Sequence, residues 1–175
     1  MTGLPAQPNP FLSTPTAYFL MYATLKLIHL LSIVVWIGGM VFAHFFLRPA
    51  VQTLEPPVRL ALMCNVLQRF FAAVQVAVVL TLVTGLWMIG RVAREAVQLG
   101  GPFSMPLSWT VMATLGLAMM AIFGHLRFAP FKRLQRAIAA ENWAAGAQAL
   151  AVIRTGVSVN LVLGVAILAV TVLLV

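Results

Sequence analysis

Two histidines lie within one long apolar run near the start of the chain. His29 and His44 fall near opposite ends of residues 27–47, and an apolar run of about 20 residues is typical of a membrane-spanning helix. An ionisable side chain inside such a helix is costly and therefore points to a functional site. At about 1.5 Å per residue the two histidines lie roughly 22 Å apart and cannot share one metal ion. Trp36 and Met40 lie within about 20° of His29 on the same helical stripe.

The third histidine, the cysteine and several methionines add further candidate ligands. The third apolar run ends near His125, which places this residue at about the depth of His44. Imidazole, thioether and thiolate groups suit Cu(I), and imidazole also suits Cu(II) and iron. Two histidines at equal depth on facing helices would also suit the two axial positions of a haem iron. The candidate metal ligands are therefore His29, His44, His125, Cys64, Met40 and Met88.

Basic side chains near these histidines are the other candidate cofactor contacts. Arg48 and Arg127 fall near one membrane surface, where a guanidinium group could pair with haem propionates. Topology and lipid headgroup contacts explain the same two arginines. Lys26 lies three residues before His29 on the same helix face, which favours a functional role for that histidine. The candidate cofactor-binding residues are Lys26, His29, His44, Arg48, His125 and Arg127.

The composition is that of a small membrane protein. Of the 175 residues, 62% are hydrophobic and 8% are charged, against roughly 45–50% and about 25% in soluble domains. The acidic residues, Glu55, Glu95 and Glu141, all lie outside the apolar runs, so carboxylate chemistry within the bilayer is not expected. The net charge of +8 comes mostly from short basic segments that set membrane topology, and it does not indicate a nucleic-acid partner.

Sequence signatures of enzymes are absent. The chain contains no GxSxG, Walker A, GxGxxG or HExxH motif. Its only cysteine, Cys64, cannot form a disulfide within the chain. We therefore expect a protein that is not an enzyme, and any catalysis would be that of a haem-dependent membrane oxidoreductase.

Four apolar runs predict an all-α integral membrane protein with four transmembrane helices. The runs cover about residues 16–47, 66–90, 107–128 and 155–174, and prolines and glycines lie in the first two connections. Short connections between successive spans predict an up-down-up-down bundle. Glycines within the runs suit close packing between the spans or between copies in a homo-oligomer.

The remaining segments are short. An amphipathic stretch within residues 130–154 predicts either a helix at the membrane interface or a helical hairpin that extends the spans into water. Residues 1–15 are rich in proline, lack charged side chains and are predicted to form an irregular tail. Residues 16–175 are then a single transmembrane domain.

The distribution of basic residues predicts the orientation. The first and third connections carry more Lys and Arg than the second, whose Arg91 and Arg94 are offset by Glu95. Basic loops stay on the cytoplasmic side. Both termini are therefore predicted to be periplasmic, as in a multi-pass protein of a bacterial inner membrane.

Several motifs resemble those of the CopD family of bacterial copper resistance and copper uptake membrane proteins. They are LKLIHLLSIVVWIGGMVFAHFFLRPA at 25–50, RFF at 69–71, TGLWM at 84–88 and MMAIFGHLRFAPFKRL at 119–134. The resemblance to the short, stand-alone members of this family extends over nearly the whole chain. It implies a cytoplasmic-membrane protein that handles copper and moves it inward, with a periplasmic copper-binding protein as a candidate partner.

The same Lys26-x-x-His29 opening, followed by the tryptophan and glycine pair, also looks like HemJ, the membrane protoporphyrinogen IX oxidase. That resemblance implies a four-helix haem b protein with a porphyrin substrate. The Tyr-Leu-Pro-Arg stretch typical of HemJ is replaced here by HFFLRP at 44–49. Copper handling, haem-dependent redox chemistry and an accessory subunit without a ligand are therefore the three functional hypotheses.

Overall fold

All regular elements in the part of the chain that the structure describes, residues 14–173, are helical. The structure is a computed structural model. Its first helix, α1, spans Thr14–Val41, continues as a π-helix over Phe42–Leu47 and ends in the short helix α2. The other helices complete the series as α2 (Arg48–Ala50), α3 (Pro56–Gln98), α4 (Leu107–Phe128), α5 (Pro130–Ala139) and α6 (Trp143–Leu173).

Four of these helical segments are long and apolar enough to cross a membrane. They pack as a bundle in which α1 lies mainly on α3, α4 and α5 lie on α6, and α6 also contacts α1 and α3. Large apolar side chains cover much of the outer surface, as expected for helices surrounded by lipid. The predicted four-helix membrane bundle is confirmed.

The helices differ in how far they extend beyond the predicted spans. Helix α4, Leu107–Phe128, has the predicted bounds. Helix α3 runs from Pro56 to Gln98 instead of 66–90, and α6 begins at Trp143 instead of 155. Hydropathy marks only the lipid-embedded part of a helix, whereas helix formation continues through adjoining polar residues. Residues 1–13 of the predicted tail lie outside the described residues, and the single-domain assignment stays a prediction.

The amphipathic segment forms α5 and the first turns of α6, which pair as a helical hairpin. Only Ala129 separates α4 from α5, and Pro130 occupies the first turn of α5, where a missing N–H costs nothing. The apolar face of α5 packs on the start of α6. The side chain of Asn142 caps α6, because its Oδ1 accepts a hydrogen bond from Ala145 N at 3.0 Å. We call this end of the bundle, with α2 and α5, the α5 end.

Aromatic side chains form the centre of the core near the α5 end. Phe71 on α3 contacts Phe123 on α4 and Phe131 on α5, with ring centroids 5.7 and 5.2 Å apart in edge-to-face geometry. Trp36 on α1 meets the Phe123 ring at 6.1 Å. These contacts connect four helices, and such aromatic pairs stabilise a core beyond their buried area.

Candidate functional site

His29 is held inside the bundle by a hydrogen bond between α1 and α3. Its side chain is 9% exposed, and its Nδ1 lies 2.9 Å from Thr84 Oγ1 on α3. Thr84 is also buried, and its hydroxyl donates to Leu80 O at 2.6 Å. The three groups form a chain that runs from the α3 backbone to the imidazole ring.

We assign the imidazole proton from the hydrogen bonds of this chain. A hydroxyl has one proton to donate, and Thr84 gives it to Leu80 O. Thr84 Oγ1 therefore accepts from His29, so the proton lies on Nδ1. In the neutral ring Nε2 then keeps its lone pair, which is the form that binds a metal ion. Histidine ligands of metals are commonly oriented in this way by a partner on their other nitrogen.

A glycine on α3 allows the imidazole ring to lie close to that helix. A Cβ atom at Gly85 would lie 3.3 Å from His29 Cε1 and 3.8 Å from His29 Nδ1. The first distance is tighter than ordinary van der Waals contact. The absence of a side chain at Gly85 therefore leaves room for the ring beside Thr84.

His29 lines a cavity of about 140 Å³ that lies between α1, α3, α4 and α6. Trp36 and Thr81 contribute to its wall, and the Thr81 hydroxyl is buried without a hydrogen-bond partner among the described residues. Three thioether side chains also line it, those of Met112, Met119 and Met120. We call this space the His29 cavity. It combines one imidazole with several soft sulfur donors and has no carboxylate among its lining residues.

Two of the predicted ligands or contacts near His29 lie outside this cavity. Lys26 is exposed and Met88 is half-buried, and neither lines the cavity. The residues of this site that were not predicted from the sequence are Met112, Met119, Met120, Thr84 and Gly85. The spacing of seven between Met112 and Met119 is a signal for one helix face, which packing explains equally well.

His44 lies on the π-helix that follows α1. Its Nδ1 is 3.3 Å from Ser158 Oγ on α6, and Ser158 Oγ donates to Arg154 O at 3.0 Å. When Ser158 donates to Arg154 O, its oxygen is left to accept from an N–H at His44 Nδ1. Short π-helical segments inside α-helices are frequent at functional sites, and no feature of the sequence analysis predicted this one.

The remaining candidate ligands lie on different elements of the bundle. His125 is exposed on α4, and within residues 14–173 no hydrogen bond or ring contact joins it to His44. Met40 is 1% exposed in the core, and Cys64 is half-buried on α3. No group of three His, Cys, Asp or Glu side chains is placed to hold a metal ion in the described range. The assignment of these residues as ligands stays a prediction.

The His29 cavity does not suit a haem held by two histidines, and the predicted pairing of His44 with His125 stays a prediction. The His29 cavity is lined by a single histidine, and its volume of about 140 Å³ is below the roughly 300–1,000 Å³ of pockets that hold drug-sized ligands. Arg48 and Arg127 have buried Nε atoms without a partner among the described residues. The Arg127 guanidinium lies over the Phe131 ring, 5.4 Å from its centroid. We therefore derive no step through haem.

The bundle and its cavity define a class: a small multi-pass membrane protein with an internal imidazole and thioether site. The chain matches the family model of CopD, copper resistance protein D, over residues 64–174. It belongs to this family of bacterial copper resistance membrane proteins. Neither the curated proteins nor the solved structures compared with the chain gave a match. The family match starts at Cys64, and it therefore includes Thr84, Gly85 and the cavity methionines but not His29.

Proposed function

We propose that this protein binds Cu(I) in the His29 cavity and passes copper across the membrane toward the α5 end. The observation that carries the proposal is the Nε2 atom of a buried histidine, left free by the hydrogen bond from Nδ1 to Thr84, beside a thioether-lined space. Membership in a copper resistance family supports copper as the cargo.

The chemistry of the lining residues supports Cu(I) over other metal ions. Soft thioether and imidazole donors favour Cu(I), whereas Mg²⁺, Ca²⁺ and Mn²⁺ prefer carboxylate, carbonyl and water oxygens. Every donor named in the cavity is neutral, so the bound ion keeps its own charge. A buried single charge is costly, which favours weak binding and release over permanent storage.

The direction of movement rests on the orientation of the bundle. Lys132, Arg133 and Arg136 are exposed on α5, and basic segments favour the cytoplasmic side. The His29 cavity would then lie nearer the periplasm, where a copper-binding protein could deliver the ion. Copper would leave at the α5 end, which makes import the proposed direction.

Binding is tested by titrating purified full-length protein with Cu(I) in competition with a chelator of known affinity. We expect His29→Ala to weaken Cu(I) binding by more than roughly 10–100-fold, which is the loss typical of removing only the hydrogen-bond partner of a metal ligand. Gln75→Ala is the control, because Gln75 is exposed on α3 and does not line the His29 cavity, and it should bind as the unaltered protein does. Equal Cu(I) affinities for the His29→Ala protein and the unaltered protein would refute the proposed site.

Import is tested separately in sealed vesicles that contain oriented protein. Copper should accumulate on the side of the α5 end, and His29→Ala should abolish the accumulation. Unchanged accumulation in that variant would exclude a route through His29. An absorption spectrum before and after dithionite completes the test, because sharpened b-type bands would favour the haem hypothesis instead.

A further inference from the structure

A groove of about 540 Å³ lies between α1 and α3, at the end of the bundle opposite the α5 end. Tyr18 and Met21 on α1 form one wall, and residues between Leu86 and Gln98 on α3 form the other. We call this space the Arg91 groove, after the residue that connects its two walls. Ligand sites in proteins commonly have volumes of roughly 300–1,000 Å³, so the groove is large enough to hold a ligand.

The α3 wall of the Arg91 groove changes from apolar to basic toward the end of the helix. Leu86 and Trp87 are exposed apolar side chains within the apolar run, whereas Arg91 and Arg94 follow that run. Trp87 and Arg94 are seven residues apart, so they share one helix face and lie about 10 Å apart along its axis. Tryptophan is typical of the membrane–water interface. The groove therefore extends from the lipid tails to the membrane surface.

The guanidinium group of Arg91 is held in position by residues from both walls. Its Nε donates to Glu95 Oε1 at 2.9 Å, and its Nη1 donates to Tyr18 O at 3.5 Å. The group also lies over the Tyr18 ring, 5.1 Å from the ring centroid. Of the five N–H donors of an arginine, these two bonds use two, so three are left without an acceptor among residues 14–173. The orientation of the group is thereby fixed while most of its donors stay available.

The charges that line the Arg91 groove do not cancel. Arg91 and Arg94 are accompanied by one carboxylate, that of Glu95, because the other two glutamates of the chain lie at the α5 end. Arg94 is exposed and forms no ion pair within the described range. Residues 1–13 have no acidic side chain to offer it. Basic residues that set topology are expected at the α5 end, so topology does not explain these two arginines.

We propose that the Arg91 groove binds an anionic phospholipid, with the head-group phosphate at Arg91 and Arg94 and a lipid tail along Leu86 and Trp87. Arginine pairs with phosphate through its planar set of N–H donors, and basic pockets between membrane helices bind anionic head groups. The apolar part of the groove contributes nothing to binding a free phosphate ion, which favours a lipid as the occupant. Leu86 also lines the His29 cavity, so the lipid would lie beside that cavity. Lipid binding does not require that copper binds or moves.

The test measures phospholipid binding to the purified full-length protein in an uncharged detergent by native mass spectrometry. Phosphatidylglycerol and phosphatidylcholine with identical acyl chains are compared, because they differ in the net charge of the head group. The test variant is Arg94→Gln, which removes an exposed cation and breaks no ion pair within residues 14–173. Arg94→Lys is the first control, because it keeps the charge. Arg133→Gln is the second, because it removes an exposed cation from α5.

We expect the unaltered protein to bind phosphatidylglycerol about tenfold more tightly than phosphatidylcholine, as one charge-assisted hydrogen bond would give. Arg94→Gln should lose most of this preference, whereas Arg94→Lys and Arg133→Gln should keep most of it. The melting temperature without added lipid should be the same for all four proteins. An unchanged preference in Arg94→Gln overturns the proposal, and so does an equal loss in Arg133→Gln, which would indicate general surface electrostatics. Displacement of the lipid by inorganic phosphate also overturns it, because the site would then recognise a free anion.

Discussion

The substitution Thr84→Val tests most directly whether Thr84 sets the tautomer of the His29 ring. Valine has nearly the shape of threonine but lacks the oxygen that accepts the hydrogen bond from His29 Nδ1 at 2.9 Å. The buried N–H would then lack a partner, which costs about 1–3 kcal/mol. The neutral ring can avoid this cost by moving its proton to Nε2, and Nε2 then has no lone pair for the metal ion.

The expected loss of Cu(I) affinity is about 10–100-fold, the range for groups that orient a histidine ligand. This corresponds to about 1.4–2.8 kcal/mol of binding free energy. The free energy of unfolding should change by less than the free energy of Cu(I) binding, because moving the proton from Nδ1 to Nε2 removes the unpaired N–H. A large loss of affinity with a small change in stability is therefore the expected signature.

The assay is competitive Cu(I) titration of the purified variant, with thermal unfolding measured on the same sample. Thr84→Ser is the matched control, because it keeps the hydroxyl and removes only a methyl group, and it should retain the affinity within a few-fold. If Thr84→Val binds Cu(I) as tightly as Thr84→Ser, the hydrogen bond does not set the imidazole tautomer and the argument for a free Nε2 fails.

Two glycines give further predictions. Gly85→Ala places a Cβ 3.3 Å from His29 Cε1, so we expect Cu(I) affinity to fall about tenfold, and unchanged titration curves would show that the ring can move freely. Gly156→Ala places a Cβ 2.6 Å from Leu126 Cδ2, and Leu126 is buried, so it should destabilise the bundle by about 1–3 kcal/mol. Its control is Gly124→Ala, where nothing lies within 4 Å, and equal melting temperatures for the two variants would contradict the packing argument.

The membrane-spanning helices were predictable because lipid imposes a simple rule on sequence. An uninterrupted apolar run must be helical to satisfy its backbone, and α4 was predicted with its observed bounds, Leu107–Phe128. The long polar end of α3 was not predicted, because in water a helix can continue without an apolar signal. The π-helix over Phe42–Leu47 was also missed, since the apolar stretch FAHFFL contains no glycine or proline to mark a departure from α-helix.

The site was predicted in part. The interior position of His29 follows from the cost of exposing an ionisable group to lipid, and the ring is buried as that argument requires. Its partner Thr84 was not identified, because the axial register between α1 and α3 is set by packing that no pattern in one helix reveals. Equal depth was the reason for pairing His44 with His125. His125 is exposed on α4, and the pairing of the two as ligands stays a prediction.

The donors named in the His29 cavity are all neutral, which limits the charge of an ion that could bind there under the proposed function. Moving a unit charge from water into a medium of low dielectric constant costs on the order of 20 kcal/mol in the idealised case. The cost grows with the square of the charge, so a divalent ion would face about four times that barrier. Helix α3 contains one glutamate, Glu95, which is exposed near the C-terminal end of the helix. Its carboxylate pairs with Arg91 at 2.9 Å, so it cannot compensate a charge beside His29. If copper crosses the bundle as proposed, the neutral soft ligands of the His29 cavity therefore favour Cu(I) over Cu(II).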